Sequence, residues 1–267
     1  PLKYVLRSDG GGNAPNFCID YKQELNTSQY QAATTRNGPI LVLAGAGSGK
    51  TRTLVFRVAR MIEEGVAPDS MLLLTFTRRA AEEMIHRAEA LMEGRCDRVT
   101  GGTFHSFANT VLRRYAGLLN FSNAFTILDR GDSEDAINLI RTRFGLDKKA
   151  RRFPRKQTIA EIISLAVNKT TTVADVLDAQ FSHLFGELDE LDRIKEYYRE
   201  YKRERSLLDY DDLLTHLREL LQDHPEVAER LSNRYRYIMV DEYQDTNRLQ
   251  AEIVRLLACA HDNVMAV

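Results

Sequence analysis

Over residues 39–103 the chain alternates short, uninterrupted apolar runs with longer stretches in which apolar side chains recur every three or four positions. An apolar run without polar alternation marks a strand buried on both faces, and its alternation with amphipathic helices is how a parallel α/β sheet is written. ILVLA at residues 40–44 predicts the first strand. Leu54, Val58, Met61 and Ile62 then share one helical face, closed by Gly65 and Pro68. Residues 71–76 predict a second strand, and Ala81, Met84, Ile85, Ala88, Leu91 and Met92 fall at helical spacing behind it, with Thr77 as N-cap. A third strand is expected within residues 98–103. The pattern resumes at 237–240, an apolar run ending on Asp241, followed by a helix over 249–259 and a strand from about Val264.

Residues 109–205 are rich in helix formers and show no strand-like run, and the signs of the charged segment 189–205 interleave at helical spacing, as in an exposed helix. SDGGGNAPN at residues 8–16 favours no regular structure. The expected fold class is α/β: a parallel sheet flanked by helices, with an inserted all-helical subdomain. The expected division is a flexible arm at 1–20, the first part of the sheet domain at 21–108, the helical insertion at 109–205 and the second part of the sheet domain at 206–267.

Chemistry concentrates at the ends of the predicted strands. Gly45, Ala46, Gly47, Ser48, Gly49, Lys50 and Thr51 follow the first strand and open a helix, the context a phosphate-binding loop requires. Backbone N–H groups of Ala46, Gly47, Ser48 and Gly49 can converge on phosphate oxygens, with the helix N-terminus adding partial positive charge. Lys50 would reach the β and γ phosphates of ATP, and the Thr51 hydroxyl would bind Mg²⁺. The strand at 237–240 ends in the adjacent carboxylates Asp241 and Glu242, where parallel strands gather ligands. Asp241 would hold Mg²⁺ with Thr51, and Glu242 would orient and deprotonate an attacking water. Lys50 and Asp241 are too far apart in sequence for one run of strands and helices, which independently calls for an insertion.

Taken with these motifs, four further segments make the chain similar to the N-terminal part of a UvrD/Rep-type superfamily 1 DNA helicase. Leu25-Asn26-Thr27-Ser28-Gln29 resembles the family's Q motif, which implies that Gln29 reads adenine; Arg52 matches an arginine lying against the adenine ring. Thr75-Phe76-Thr77-Arg78-Arg79-Ala80-Ala81 resembles motif Ia and Gly102-Thr103-Phe104-His105-Ser106 motif Ib, both of which line the single-strand track. The resemblance therefore implies DNA contacts from Thr75, Phe76, Thr77, Arg78, Thr103, Phe104 and His105. Stacking on Phe76 and hydrogen bonds from Thr75, Thr77 and His105 are chemically sensible. Val240-Asp241-Glu242-Tyr243-Gln244-Asp245 matches the family's second nucleotide motif and brings Gln244 into the catalytic set. Residues 125–129 and 207–214 resemble short motifs flanking the insertion, with Asp209 and Tyr210 as candidates for DNA or interdomain contacts.

The resemblance implies a RecA-like sheet domain, ATP and Mg²⁺ as cofactors, and ATP-driven movement along single-stranded DNA from 3′ to 5′. It also implies that residues 263–267 lead into motif III. The second RecA-like domain and its arginine fingers would then lie outside this sequence, which starts at Pro1 rather than Met, and this piece alone would hydrolyse ATP very slowly and unwind nothing.

Composition narrows the partners. Lys plus Arg at 37 against Asp plus Glu at 38 leaves a net charge of −1, so there is no global basic field and any nucleic-acid site must be local. The densest basic cluster, Lys148, Lys149, Arg151, Arg152, Arg155 and Lys156, either grips duplex DNA or is a solvated face. Cys18, Cys96 and Cys259 lie far apart without CxxC spacing, which speaks against a disulfide framework or a zinc site and for a reducing cytoplasm. The apolar runs are too short to span a membrane, so no membrane partner is expected. Two other readings stay open: a P-loop enzyme with a small-molecule substrate, such as a kinase, and a non-catalytic DNA-binding module that keeps the fold as a scaffold.

Overall fold

The computed structural model describes residues 17–45, 47–92, 95–96, 98–146 and 153–267. Helices α1 (Tyr21–Glu24) and α2 (Thr27–Thr34) precede strand β1 (Ile40–Leu41), and the phosphate loop leads into α3 (Lys50–Glu63). There follow β2 (Met71–Thr75), α4 (Arg78–Met92), β3 (Thr100–Thr103), α5 (Phe104–Tyr115), β4 (Thr126–Ile127), α6 (Arg130–Arg143), α7 (Lys156–Asn168), α8 (Val173–Gln180) and α9 (Leu188–Glu204). The chain then returns through β5 (Leu207–Leu208), α10 (Tyr210–Asp223), α11 (Pro225–Arg234), β6 (Tyr237–Val240), α12 (Arg248–Leu257) and β7 (Val264–Ala266).

Five strands form one parallel sheet in the order β1-β7-β6-β2-β3. Its two faces explain the uninterrupted apolar runs. Leu72, Leu74, Ile238 and Val240 pack on one side into a core with α5, α10, α11 and α12, while Met71, Leu73, Tyr237, Met239 and Met265 pack on the other with α3 and α4. In the central strands β2 and β6 each residue is buried whichever way it points, so no polar alternation survives there, whereas edge strand β1 covers only Ile40–Leu41 of the expected 40–44, with Leu41 63% exposed. Pairing of Leu74 with Val240 and of Val240 with Ala266 brings the carboxyl ends of β2, β6 and β7 level. The next residue, Asp241, stays in register through its N–H, which donates to the Leu74 carbonyl at 2.9 Å.

Helices α6 to α9 close around a separate core containing Ile137, Ile140, Ile159, Ile162, Leu177, Leu191 and Ile194. Helix α5, which crosses residue 109, packs instead beneath the sheet through Phe107, Ala108, Val111 and Leu112. The region expected to lack strands contains one: β4 pairs in parallel with β5 as a two-stranded ribbon, joining the chain that leaves the sheet domain to the chain that returns. Two-residue strands are too short for any periodicity to reveal.

Helix α9 also differs from the exposed helix expected. Leu191, Ile194, Tyr198 and Lys202 are buried on one face. The Lys202 Nζ lies 2.6 Å from both Asp209 and Asp212, whose side chains form the capping box that starts α10. Tyr198 donates to the same Asp209 oxygen at 3.0 Å. Burial alone would lower the Lys202 pKa, but the two carboxylates raise it. Burial likewise opposes ionisation of Asp209, which Lys202 nonetheless holds below the ordinary carboxylate range, whereas burial and the Asp209 charge push Asp212 up.

Residues 17–20, expected as the end of the flexible arm, are packed: Phe17 meets Tyr21 edge-on, and the Cys18 N–H donates to Glu63 at 2.6 Å. The rest of that arm, residues 1–16, and the basic residues Lys148, Lys149, Arg151 and Arg152 lie outside the described residues. Of the two remaining members of the basic cluster, Arg155 is exposed at the N-cap of α7 and Lys156 pairs with Asp135. No helix among the described residues is long and apolar enough to cross a membrane.

Candidate nucleotide and nucleic-acid site

The loop between β1 and α3 turns on two left-handed glycines, Gly47 at φ 76° and Gly49 at φ 84°, a region that other residues enter only with strain. Gly49 occupies the N-cap of α3 and supplies no side-chain acceptor, so the first N–H groups of the helix are left for an external ligand. The Ser48 hydroxyl folds back onto the Gly45 carbonyl at 2.6 Å and tightens the loop. Ala46, one of the expected phosphate contacts, lies outside the described residues.

The carboxylates arrive from β6. Asp241 is 3% exposed, and its Oδ1 is buried without a hydrogen-bond partner. Burial, and then the Glu242 charge, raise its pKa. A desolvated acidic oxygen with an unfilled lone pair, in one cleft with the Thr51 hydroxyl, suits a hard divalent cation. Among the described residues no cluster of three or more His, Cys, Asp or Glu side chains could hold a metal, so the remaining ligands would be phosphate oxygens and water.

Glu242 sits at φ 53°, a left-handed backbone costing a non-glycine residue about 1–2 kcal/mol. Its carboxylate accepts a hydrogen bond from the Gln244 amide and lies 3.7 Å from the Lys50 Nζ. The structure thus brings Lys50, Thr51, Asp241, Glu242 and Gln244 together across the carboxyl ends of the strands.

Two clefts flank the loop. One of about 410 Å³ is lined by Gln29, Ala32, Leu41, Leu43, Ser48 and Lys50. Here Gln29 is already engaged: its Nε2 donates to the Ser48 carbonyl at 2.9 Å and its Oε1 accepts from the Asn26 N–H at 3.2 Å. Arg52 is tied to Glu24, with Nη2 at 2.9 Å from the backbone carbonyl and 2.5 Å from the carboxylate, and lies 5.0 Å from the Phe56 ring centre. Glu24 had no sequence signal as its partner. A base reading at Gln29 therefore exchanges existing bonds for new ones.

The second cleft, about 340 Å³, joins Thr51, Asp241 and Glu242 to Thr75, Phe76, Thr77 and Glu83. Phe76 is 37% exposed at its edge, and Thr77, Arg78 and Arg79 are exposed beside it. The Thr77 hydroxyl accepts the Ala80 N–H at 3.1 Å, as its N-cap role predicts. Two expected DNA contacts need correction. Phe104 is 1% exposed, because Thr103 caps α5 and the helical phase then turns Phe104, Phe107, Ala108 and Val111 into the core. Thr75 is 2% exposed at the end of β2, which leaves little of its side chain for a sugar-phosphate chain. Thr103 itself spends its hydroxyl on the Ser106 N–H at 3.1 Å. His105 remains at the surface edge, stacked edge-on against Tyr210, and burial lowers its pKa. It is therefore a neutral hydrogen-bonding group at neutral pH rather than a phosphate-attracting cation. Asp209, a candidate contact from sequence, is committed to Lys202 and the α10 cap, while Tyr210 is 51% exposed.

One further link escaped the sequence. Asn247, the N-cap of α12 just beyond the carboxylate loop, donates to Asn168 at the end of α7 at 2.7 Å, and Asn168 donates to Asp211 at 2.8 Å.

Comparison with known proteins adds a family to this geometry. Residues 25–267 match the UvrD/REP helicase N-terminal domain. The chain is 36% identical over 247 residues to an ATP-dependent DNA helicase PcrA of Staphylococcus aureus, covering 91% of this chain and 33% of the relative. It is 35% identical over 249 residues to an ATP-dependent DNA helicase PcrA of Staphylococcus epidermidis, covering 92% of this chain and 33% of the relative. The chain thus spans about a third of the length of these relatives.

Proposed function

Since this chain belongs to the UvrD/REP helicase family, of which it carries the N-terminal domain, we propose that it binds ATP with Mg²⁺ and serves as the nucleotide-binding module of a DNA helicase moving 3′ to 5′ on single strands in the cytoplasm. The observation that carries the reading is the meeting of Lys50 and Glu242 at 3.7 Å above the buried, unpartnered oxygen of Asp241.

In this proposal the N–H groups of the glycine loop cradle the phosphates, and Lys50 moves from Glu242 to the β and γ oxygens as they enter. Thr51 and Asp241 would hold the cation, which would supply charge neutralisation to the phosphoryl oxygens. Release of Lys50 frees Glu242 to orient a water molecule and take its proton. The Gln244 amide fixes the rotamer of that carboxylate, and the left-handed backbone at Glu242 aims it away from the strand. Gln29 and Arg52 recognise the base from the opposite cleft. Phe76, Thr77, Arg78 and His105 form the strand-facing surface, with stacking on Phe76 its main sequence-tolerant contact. The sheet domain is proposed to be RecA-like, interrupted by a helical unit that was expected from the sequence at residues 109–205 and whose own core is formed by α6 to α9.

Binding of a fluorescent ATP analogue and of a labelled oligothymidylate to the chain and to its Lys50→Ala variant tests the assignment. Loss of nucleotide binding with DNA binding retained is the expected result. Unchanged nucleotide affinity in the variant removes the phosphate loop from the mechanism, and an absence of single-strand binding by the parent chain favours a small-molecule substrate.

A further inference from the structure

Arg57 is the largest fully buried side chain among the described residues, at 2% exposure, and it lies on α3 two turns beyond Lys50. It points not at a carboxylate but at the C-terminal end of α2. Its Nη1 donates to the Ala32 carbonyl at 3.0 Å and to the Thr35 carbonyl, and its Nη2 donates to the Arg36 carbonyl at 3.1 Å, while Nε has no partner. The Ala32 carbonyl is among those a helix leaves unsatisfied at its last turn, where the macrodipole is negative, and those of Thr35 and Arg36 belong to the C-cap and the residue after it. Burial lowers the Arg57 pKa to about 10, so the group is still a cation at neutral pH.

The other end of α2 carries Gln29, whose Nε2 donates to the Ser48 carbonyl of the phosphate loop. Helix α2 is therefore tied at both ends to one rigid unit, the phosphate loop and the helix that grows from it. If Gln29 reads the base while the loop holds the phosphates, the separation of the two subsites is set by how α2 sits on α3. A guanidinium with three carbonyl acceptors fixes that placement as no apolar contact could, since hydrogen bonds are directional and a slide of α2 would leave a buried cation unsatisfied. No carboxylate forms an ion pair with this buried cation, so its desolvation is offset mainly by the three directional carbonyl bonds.

We infer that Arg57 is a positioning residue for base selection, holding α2 so that Gln29 meets adenine at the distance set by phosphates bound at Lys50 and Thr51. The inference rests on the reading of Gln29 as the base-recognising residue proposed above.

The test compares the chain with its Gln29→Ala, Arg57→Lys and Arg57→Met variants. ATP, GTP and inorganic tripolyphosphate compete against a fluorescent adenine nucleotide, and hydrogen–deuterium exchange is followed without nucleotide. Arg57→Met is expected to lower the ATP-over-GTP preference about tenfold while tripolyphosphate affinity stays within about twofold, with Arg57→Lys in between. Amides of residues 30–36 are expected to exchange about tenfold faster, with those of β2 unchanged. Equal weakening of ATP and tripolyphosphate would mean a general packing role and overturns the inference, as does unchanged exchange over α2. If Gln29→Ala leaves the preference intact while Arg57→Met shifts it, the reading of Gln29 fails but α2 placement by Arg57 stands. If Arg57→Met does not fold, Arg57→Lys is judged by the same two measurements.

Discussion

Replacing Lys202 by Met tests whether the junction between the helical unit and the sheet domain is held by charge. The ammonium, 8% exposed, is shared by two carboxylates at 2.6 Å each, so its removal strands two buried negative charges at the start of α10. A single pair at that distance attracts by about 6 kcal/mol at an effective dielectric constant near 20, but desolvation of all three groups offsets much of it. Loss of one partner from a buried pair costs about 3–5 kcal/mol, and that is the expected destabilisation at pH 7. Urea unfolding followed by circular dichroism measures it.

The pH dependence gives the sharper check. In the parent chain Asp209 is held below its ordinary range, so its stabilising contribution is full above the unfolded carboxylate pKa of about 3.9 and is lost as pH falls through the folded value. In the variant, burial without a counter-charge pushes both carboxyls up, so their penalty is absent at low pH and grows as pH rises through the raised values. The stability gap should therefore narrow from pH 7 towards pH 4. A loss below about 1 kcal/mol at pH 7, or a gap that widens on acidification, would refute an electrostatic junction.

Two other outcomes follow from the site. Gly49→Ala should destabilise the chain by about 1–2 kcal/mol and weaken nucleotide binding, because φ is 84° and the added Cβ would meet the Gln29 amide nitrogen at 2.8 Å; urea midpoints and nucleotide titration check both. Because burial depresses the His105 pKa, folding favours its neutral form, and stability is full above an unfolded value near 6.5 and declines as pH falls through it. His105→Gln should therefore lose less melting temperature than the parent between pH 8 and pH 5.5, and parallel melting curves would discount the buried imidazole.

The sheet and the glycine loop were legible because each rests on local pattern. Residues 71–74 are apolar throughout since both faces of β2 are covered, and a glycine loop between strand and helix is a strong local signal in its own right. What escaped depends on side chains meeting across long sequence distances. Nothing near Lys202 announces that Asp209 and Asp212 will enclose it, and in isolation α9 does read as an exposed, charge-interleaved helix. Other misreadings were avoidable. Phe104 stands three, four and seven positions before Phe107, Ala108 and Val111, so its inward direction was written in the spacing of α5. Arg57 likewise shares the face of Leu54, Val58 and Met61, an anomaly that marks a charged residue with an internal partner.

The pairing of β4 with β5 has a consequence for how such chains can be rebuilt. The outgoing and returning strands are hydrogen-bonded neighbours, with the Thr126 N–H donating to the Ser206 carbonyl at 2.9 Å and the Leu128 N–H to the Leu208 carbonyl at 2.8 Å. Everything between them hangs from a seam, so the helical unit can lengthen, shrink or be exchanged without changing where Glu242 meets Lys50. A graft at that seam needs a compatible core of its own and two sutures: a cation in place of Lys202 for Asp209 and Asp212, and an amide in place of Asn168 for Asn247 and Asp211.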